Sequence, residues 1–124
     1  MIAQTNVGTN NLAAAEAFYS PLLALVGGSQ VYKTDRALVY VFGEGGTRFA
    51  VNLPFDGAPA NGGNGCMVAL GAASQDQVQQ LHARALELGG SCEGAPGERY
   101  DGALYAAYFR DPEGNKFGVL YMPQ

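Results

Sequence analysis

Charge is sparse in this chain, and histidine is almost missing. Only 15% of the 124 residues are Asp, Glu, Lys or Arg, and His82 is the single histidine. The seven basic residues form no cluster, which argues against a surface that follows nucleic-acid phosphates. No apolar run approaches the roughly 18 residues of a membrane-crossing helix, so no membrane partner is expected. The opening MIAQTNVGTNN has no basic region followed by an apolar one, and a signal peptide is not expected. Cysteine is equally scarce. Cys66 and Cys92 lack CxxC spacing, and without a secretory signal they read as reduced thiols in a cytoplasmic protein.

Apolar residues make up 48% of the sequence, enough for one globular core, and 18 glycines fall mostly between the apolar runs. That pattern predicts many short elements joined by tight turns. The formal charge of −4 serves solubility first; it also favours a cationic over an anionic ligand.

The chain repeats itself. FYSPLLALVGG, from Phe18 to Gly28, and LHARALELGG, from Leu81 to Gly90, each end an amphipathic helix at a glycine pair. Glycine takes the left-handed conformation that stops a helix. Asn10 or Asn11 can cap the first helix and Ser74 the second. Leu12, Ala15, Phe18, Tyr19, Leu22 and Leu23 share one helix face, as do Val78, Leu81, Ala85 and Leu88. His82, beside the second stripe, is expected to be partly exposed. Strand-like runs precede the helices at Ile2–Gly8 and Cys66–Gly71. Others follow them at Ser29–Lys33, Ala37–Phe42 and Arg48–Leu53, then at Ser91–Glu93, Leu104–Arg110 and Lys116–Tyr121. The order β-α-β-β-β is thus written twice. The fold class is α+β, with module one at residues 1–56, a Gly/Pro/Asn-rich linker at 57–64 and module two at 65–124.

YFRDPEGNKFGVLY, from Tyr108 to Tyr121, reads as a hairpin whose turn is built by Asp111, Pro112 and Gly114-Asn115. The doubled module and this D-P-E-G-N turn together closely resemble the vicinal oxygen chelate superfamily of glyoxalases, bleomycin-resistance proteins and extradiol dioxygenases. The resemblance spans nearly the whole chain. It implies a curved mixed sheet, an incomplete barrel around a cavity, and a homodimer.

Catalytic members hold a divalent metal through four side chains, mostly His and Glu, leaving open positions for substrate oxygens. Carried over position by position, the resemblance places Gln4 in the opening strand and Asn52 before Leu53-Pro54-Phe55. Met67 stands two residues after Gly65, and Gly118 follows the D-P-E-G-N turn. These are two neutral amides, a thioether suited to soft metals and a residue with no side chain. No metal and no cofactor are expected.

Strand alternation extends the cavity face. Gln4, Asn6, Arg48 and Asn52 supply polar groups, Met67 and Tyr108 apolar ones, while Phe109 and Phe117 face the helices. Tyr105 and Tyr100 are candidates for the mouth. Met67 and Tyr108 either line an open cup or fill it. The reading adopted is a metal-free protein binding a small organic molecule, of aromatic or cationic character. The alternative is a glyoxalase-like lyase or isomerase using Gln4 with an atypical donor. A non-catalytic scaffold is a third option.

Overall fold

A computed structural model describes residues 1–123 of the chain. Module one runs β1 (Gln4–Gly8), α1 (Leu12–Ala24), β2 (Gly28–Lys33), β3 (Ala37–Phe42) and β4 (Arg48–Asn52). Module two runs β5 (Val68–Gly71), α2 (Gln75–Glu87), β6 (Ser91–Arg99), β7 (Leu104–Arg110) and β8 (Lys116–Tyr121). Each module is a four-stranded mixed sheet, ordered β1-β4-β3-β2 and β5-β8-β7-β6. The opening strand of each pairs in parallel with the last, the others antiparallel. This is the doubled βαβββ architecture expected from the repeat. Among the described residues, no helix is long and apolar enough to cross a membrane.

The helix ends follow the sequence signals. Asn11 Oδ1 accepts the amide of Ala14 at 3.0 Å, and Ser74 Oγ accepts that of Gln77 at 3.1 Å. Such caps contribute about 1 kcal/mol each. Gly27 and Gly89 then stop the two helices at φ +79° and +108°.

Each helix buries its predicted stripe, with one difference. His82 is only 6% exposed, and its Nε2 has no hydrogen-bond partner. The polar ring sits among α2 core residues because its place in the turn puts it inside the apolar arc, next to Leu81 and Ala85. Strand β6 also departs from expectation. Gly94, Pro96 and Gly97 suggested that it ends at Glu93, yet it continues to Arg99 through two register shifts. Glycines inside a strand here mark bulges, not an end.

One aromatic core joins the modules. Phe49 on β4 meets Phe117 on β8 at 5.7 Å between ring centroids, and Phe109 stacks on Phe117 at 5.3 Å. Above it lies a polar latch. The hydroxyl of Tyr19 on α1 donates to the buried carboxylate of Asp111, which also accepts the amides of Glu113 and Asn115 and the Asn115 side chain. Asn115 Nδ2 donates in addition to the Gly8 carbonyl at 2.9 Å. Glu113 accepts the Thr9 hydroxyl and both the backbone and side-chain N–H of Asn10, each at 2.9 Å. The D-P-E-G-N turn of module two therefore grips the exit of β1 in module one.

Two pH-dependent effects follow. The Asn10 backbone amide, foremost among its partners, holds the Glu113 carboxyl below its ordinary 4.5. That ionisation stabilises the fold above pH 4.5 and is lost as pH falls through the lowered folded-state value. Glu113→Gln should cost about 1–2 kcal/mol near neutral pH, with the difference from wild type shrinking in acid, as read by urea denaturation. Burial lowers the pKa of His82 from 6.5. The unfolded chain therefore takes up its proton first, and stability drops as pH falls below 6.5. His82→Leu should flatten the melting temperature across that range.

Candidate functional site

Phe49 and Val51 of β4, and Phe117 and Val119 of β8, point into the core. Alternation then sends Arg48, Ala50 and Asn52, together with Lys116, Gly118 and Leu120, to the face opposite the helices. On β1 the same face carries Gln4 and Asn6, and on β7 it carries Ala106, Tyr108 and Arg110.

In module one the expected polar residues form a chain of amides. Gln4 Nε2 donates to Asn6 Oδ1 at 3.1 Å, and Asn6 Nδ2 donates to Asn52 Oδ1 at 2.8 Å. Asn52 Nδ2 passes the chain to the Leu53 carbonyl. In the parallel register Gly8 lies opposite Asn52 and Gln4 opposite Arg48, which sets Gln4 and Asn6 in line along β1 and Asn52 diagonal to Asn6. The Arg48 guanidinium is exposed and has no partner among the described residues.

In module two the floor is glycine. Tyr108 pairs across the ladders with Gly94 on β6 and Gly118 on β8. A Cβ at position 94 would lie 2.9 Å from the Tyr108 ring; one at 118 would lie 3.2 Å from the ring and 3.3 Å from Met67 Sδ. The ring therefore lies down across both neighbours, with the Met67 sulfur beside it. Two cations attend it: the Arg99 guanidinium carbon and Lys116 Nζ, at 5.7 and 5.6 Å from its centroid. Arg110 sits opposite Lys116 and is engaged by Glu93 and by the Gly114 carbonyl.

Between the sheets runs a cleft. Strands β1 and β5 are edge strands, each paired on one side only. A cavity of about 520 Å³ holds Ile2 and Arg48 against Met67 and Ala69; one of about 420 Å³ holds Asn6 and Gly8 against Cys66, Met67 and Lys116. Thr5, Met67 and Val68 line both, so the two are stretches of one groove. Its volume suits a small organic molecule.

The face thus brings together Gln4, Asn6, Arg48, Asn52, Met67 and Tyr108. Met67 stands 45% exposed, so it edges the groove and does not plug it. Tyr105 is not part of this face. It is three residues from Tyr108 and so points to the helices, where its hydroxyl accepts a hydrogen bond from Gln79 on α2 at 2.8 Å. Tyr100 lies exposed in the β6–β7 turn, at φ 55°. Sequence reasoning missed Arg99, because β6 had been ended before it. Lys116 entered the sequence reading only as the start of the last strand. Its place on the Gly118 side of β8 was the available signal.

The four positions that would hold a metal do not fit one. Their donors carry no charge, and Gly118 offers none. The amide oxygen of Asn52 already accepts a hydrogen bond from Asn6. A side chain at 118 would press on Tyr108 and Met67, which would have to give slightly. Among the described residues, no three His, Cys, Asp or Glu side chains gather anywhere. A dication would lose its hydration without compensation.

The family described as Glyoxalase/Bleomycin resistance protein/Dioxygenase superfamily matches residues 1–119. The chain is 35% identical to a glyoxalase/bleomycin resistance protein from Albidiferax ferrireducens T118, with a TM-score of 0.89 over 99% of both chains. A glyoxalase-related enzyme from Fulvimarina pelagi shares 20% identity and a TM-score of 0.79, over 99% of this chain and 88% of that one. A lactoylglutathione lyase from Agrobacterium tumefaciens shares 24% identity and a TM-score of 0.70, over 98% and 92%. The last two likenesses speak to the fold alone. No curated protein matches the sequence.

Proposed function

We propose a metal-free role in binding a small organic molecule for this chain, which belongs to the Glyoxalase/Bleomycin resistance protein/Dioxygenase superfamily. The observation that carries the reading is the donor set Gln4, Asn52, Met67 and Gly118, set beside an open groove. A family scaffold normally organised by a metal keeps its concavity here and fills the metal's neighbourhood with a tyrosine ring and a thioether. Amides, a free guanidinium and apolar walls are what orient and hold a ligand by contact alone. No side chain on the face stands out as a general base, and binding without turnover is the simpler use of it.

The same reading includes a homodimer and a cytoplasmic location. Supporting the first, edge strand β2 exposes Val31 and Tyr32, and Phe55, beyond β4, is fully exposed. Supporting the second, both cysteines are exposed and unpaired.

Two measurements test this reading. Light scattering on the purified protein should give twice the chain mass; a monomer at all concentrations would remove the dimer. A thermal-shift screen of small organic molecules should find ligands whose stabilisation is unchanged by EDTA. Loss of binding with chelator, or turnover of an α-ketoaldehyde thiol adduct after loading with Ni²⁺, Zn²⁺ or Mn²⁺, would overturn the metal-free reading in favour of a lyase.

A further inference from the structure

The chain carries an excess of acid, yet its basic side chains are not spread evenly. Of the seven, Lys33, Arg84 and Arg110 are paired with carboxylates, Glu16, Glu87 and Glu93. Arg36, Arg48, Arg99 and Lys116 have no carboxylate partner among the described residues. Three of these four stand on the face opposite the helices. Arg36 does not; it donates to the Pro54 carbonyl.

No carboxylate pairs with these three. Glu93, which reaches this face, is engaged by Arg110. Glu98 lies opposite Tyr105 in the ladder, on the helix side. Asp111 and Glu113 are committed to the latch. The face therefore carries three cations that no carboxylate ion-pairs, on a protein of net charge −4.

We infer that the ligand of this face is an organic anion, an oxyanion head group on a flat apolar body, and not a cation. This inference rests on the binding reading above and names the chemistry of its ligand.

Geometry supplies the two halves of such a molecule. Arg99 and Lys116 bracket the Tyr108 ring at nearly equal distance. Each sets a positive charge beside the ring for an oxyanion to meet, Lys116 as a point charge and Arg99 through the guanidinium donors that its bonds to the Glu98 and Ala95 carbonyls leave free. Arg99 is placed by its own strand: Nη2 donates to the Ala95 carbonyl at 2.8 Å, and its guanidinium lies against the bare Gly97. That guanidinium is ordered before any ligand arrives, which lowers the entropic cost of binding. Met67 and the groove receive the flat body; Lys116 and Arg48 line that groove, and Arg99 stands beside Tyr108 outside its lining. A cationic ligand in the groove would meet the unneutralised charges of Lys116 and Arg48. The acidic net charge of the whole chain, read alone, points the wrong way, because a ligand feels the local field first.

The test is a matched set of small probes on the full chain: benzoate, phenyl phosphate, benzamide and benzylamine, followed by ligand-observed NMR. Benzoate or phenyl phosphate should bind most tightly, and the ratio between them tells a carboxylate from a phosphate site. Raising salt should weaken the anions and leave benzamide unchanged. Arg99→Gln with Lys116→Gln should weaken the anions by about tenfold or more while benzamide holds. Arg48→Gln is the second variant should the first pair fail to fold. Benzylamine binding as well as benzoate would overturn the anion assignment and leave the binding reading standing. No binding by any of the four would overturn both.

Discussion

A buried carboxylate holds this molecule in its working shape. Asp111 is 4% exposed and meets no cation in the latch, so its negative charge is carried by N–H and O–H donors. One of these, the hydroxyl of Tyr19, comes from the other module. Burial first, and the neighbouring carboxylate second, keep that phenol firmly protonated, so it can only donate here. A buried charge is tolerated when every lone pair is occupied, and the D-P-E-G-N turn folds back on its own aspartate to achieve this. Asn115 extends the hold to the Gly8 carbonyl at the end of β1. The two sheets are thereby fixed to each other at one corner and through the aromatic core behind them.

That attachment explains why a groove exists. The modules are joined by the latch, the shared core and their helices, none of which asks β1 and β5 to hydrogen-bond. Their edges face one another without closing a ladder, and the space between them is where the cavities lie. An unclosed seam costs backbone hydrogen bonds that water must supply. It also gives one continuous surface contributed by both modules, which neither sheet could offer by itself.

Much of the architecture was legible because it is written in local signals. The caps at Asn11 and Ser74, the stops at Gly27 and Gly89 and the alternation through Phe109 and Phe117 each need only a few neighbouring residues. Gln4, Asn6 and Asn52 lie on one face by the same alternation. What failed needed longer reach. Tyr105 was assigned to the mouth by type and proximity, although its three-residue offset from Tyr108 sends it to the helices. His82 lies one position from Leu81, and only the width of the buried arc decides that it goes inside. Strand β6 looked broken at Gly94 and Gly97, because the sequence does not reveal that these glycines make room for Tyr108 and Arg99.

The charged face lies beyond what composition can show. Arg48, Arg99 and Lys116 are scattered over three strands, so no window of sequence contains a basic cluster, and the total charge is negative. Register alone brings them to one side. The same glycine links this to the missing metal. Gly118 withholds the carboxylate that a metal would need, and its bareness lets Tyr108 lie down between Arg99 and Lys116. A glutamate there would push the ring off its floor and set a negative charge against both cations, in the place where an anionic ligand would bind. Metal and organic anion are thus competing solutions for one position: each requires charge of the sign the other must avoid. Having no side chain at 118 suits the face to the second, as proposed above.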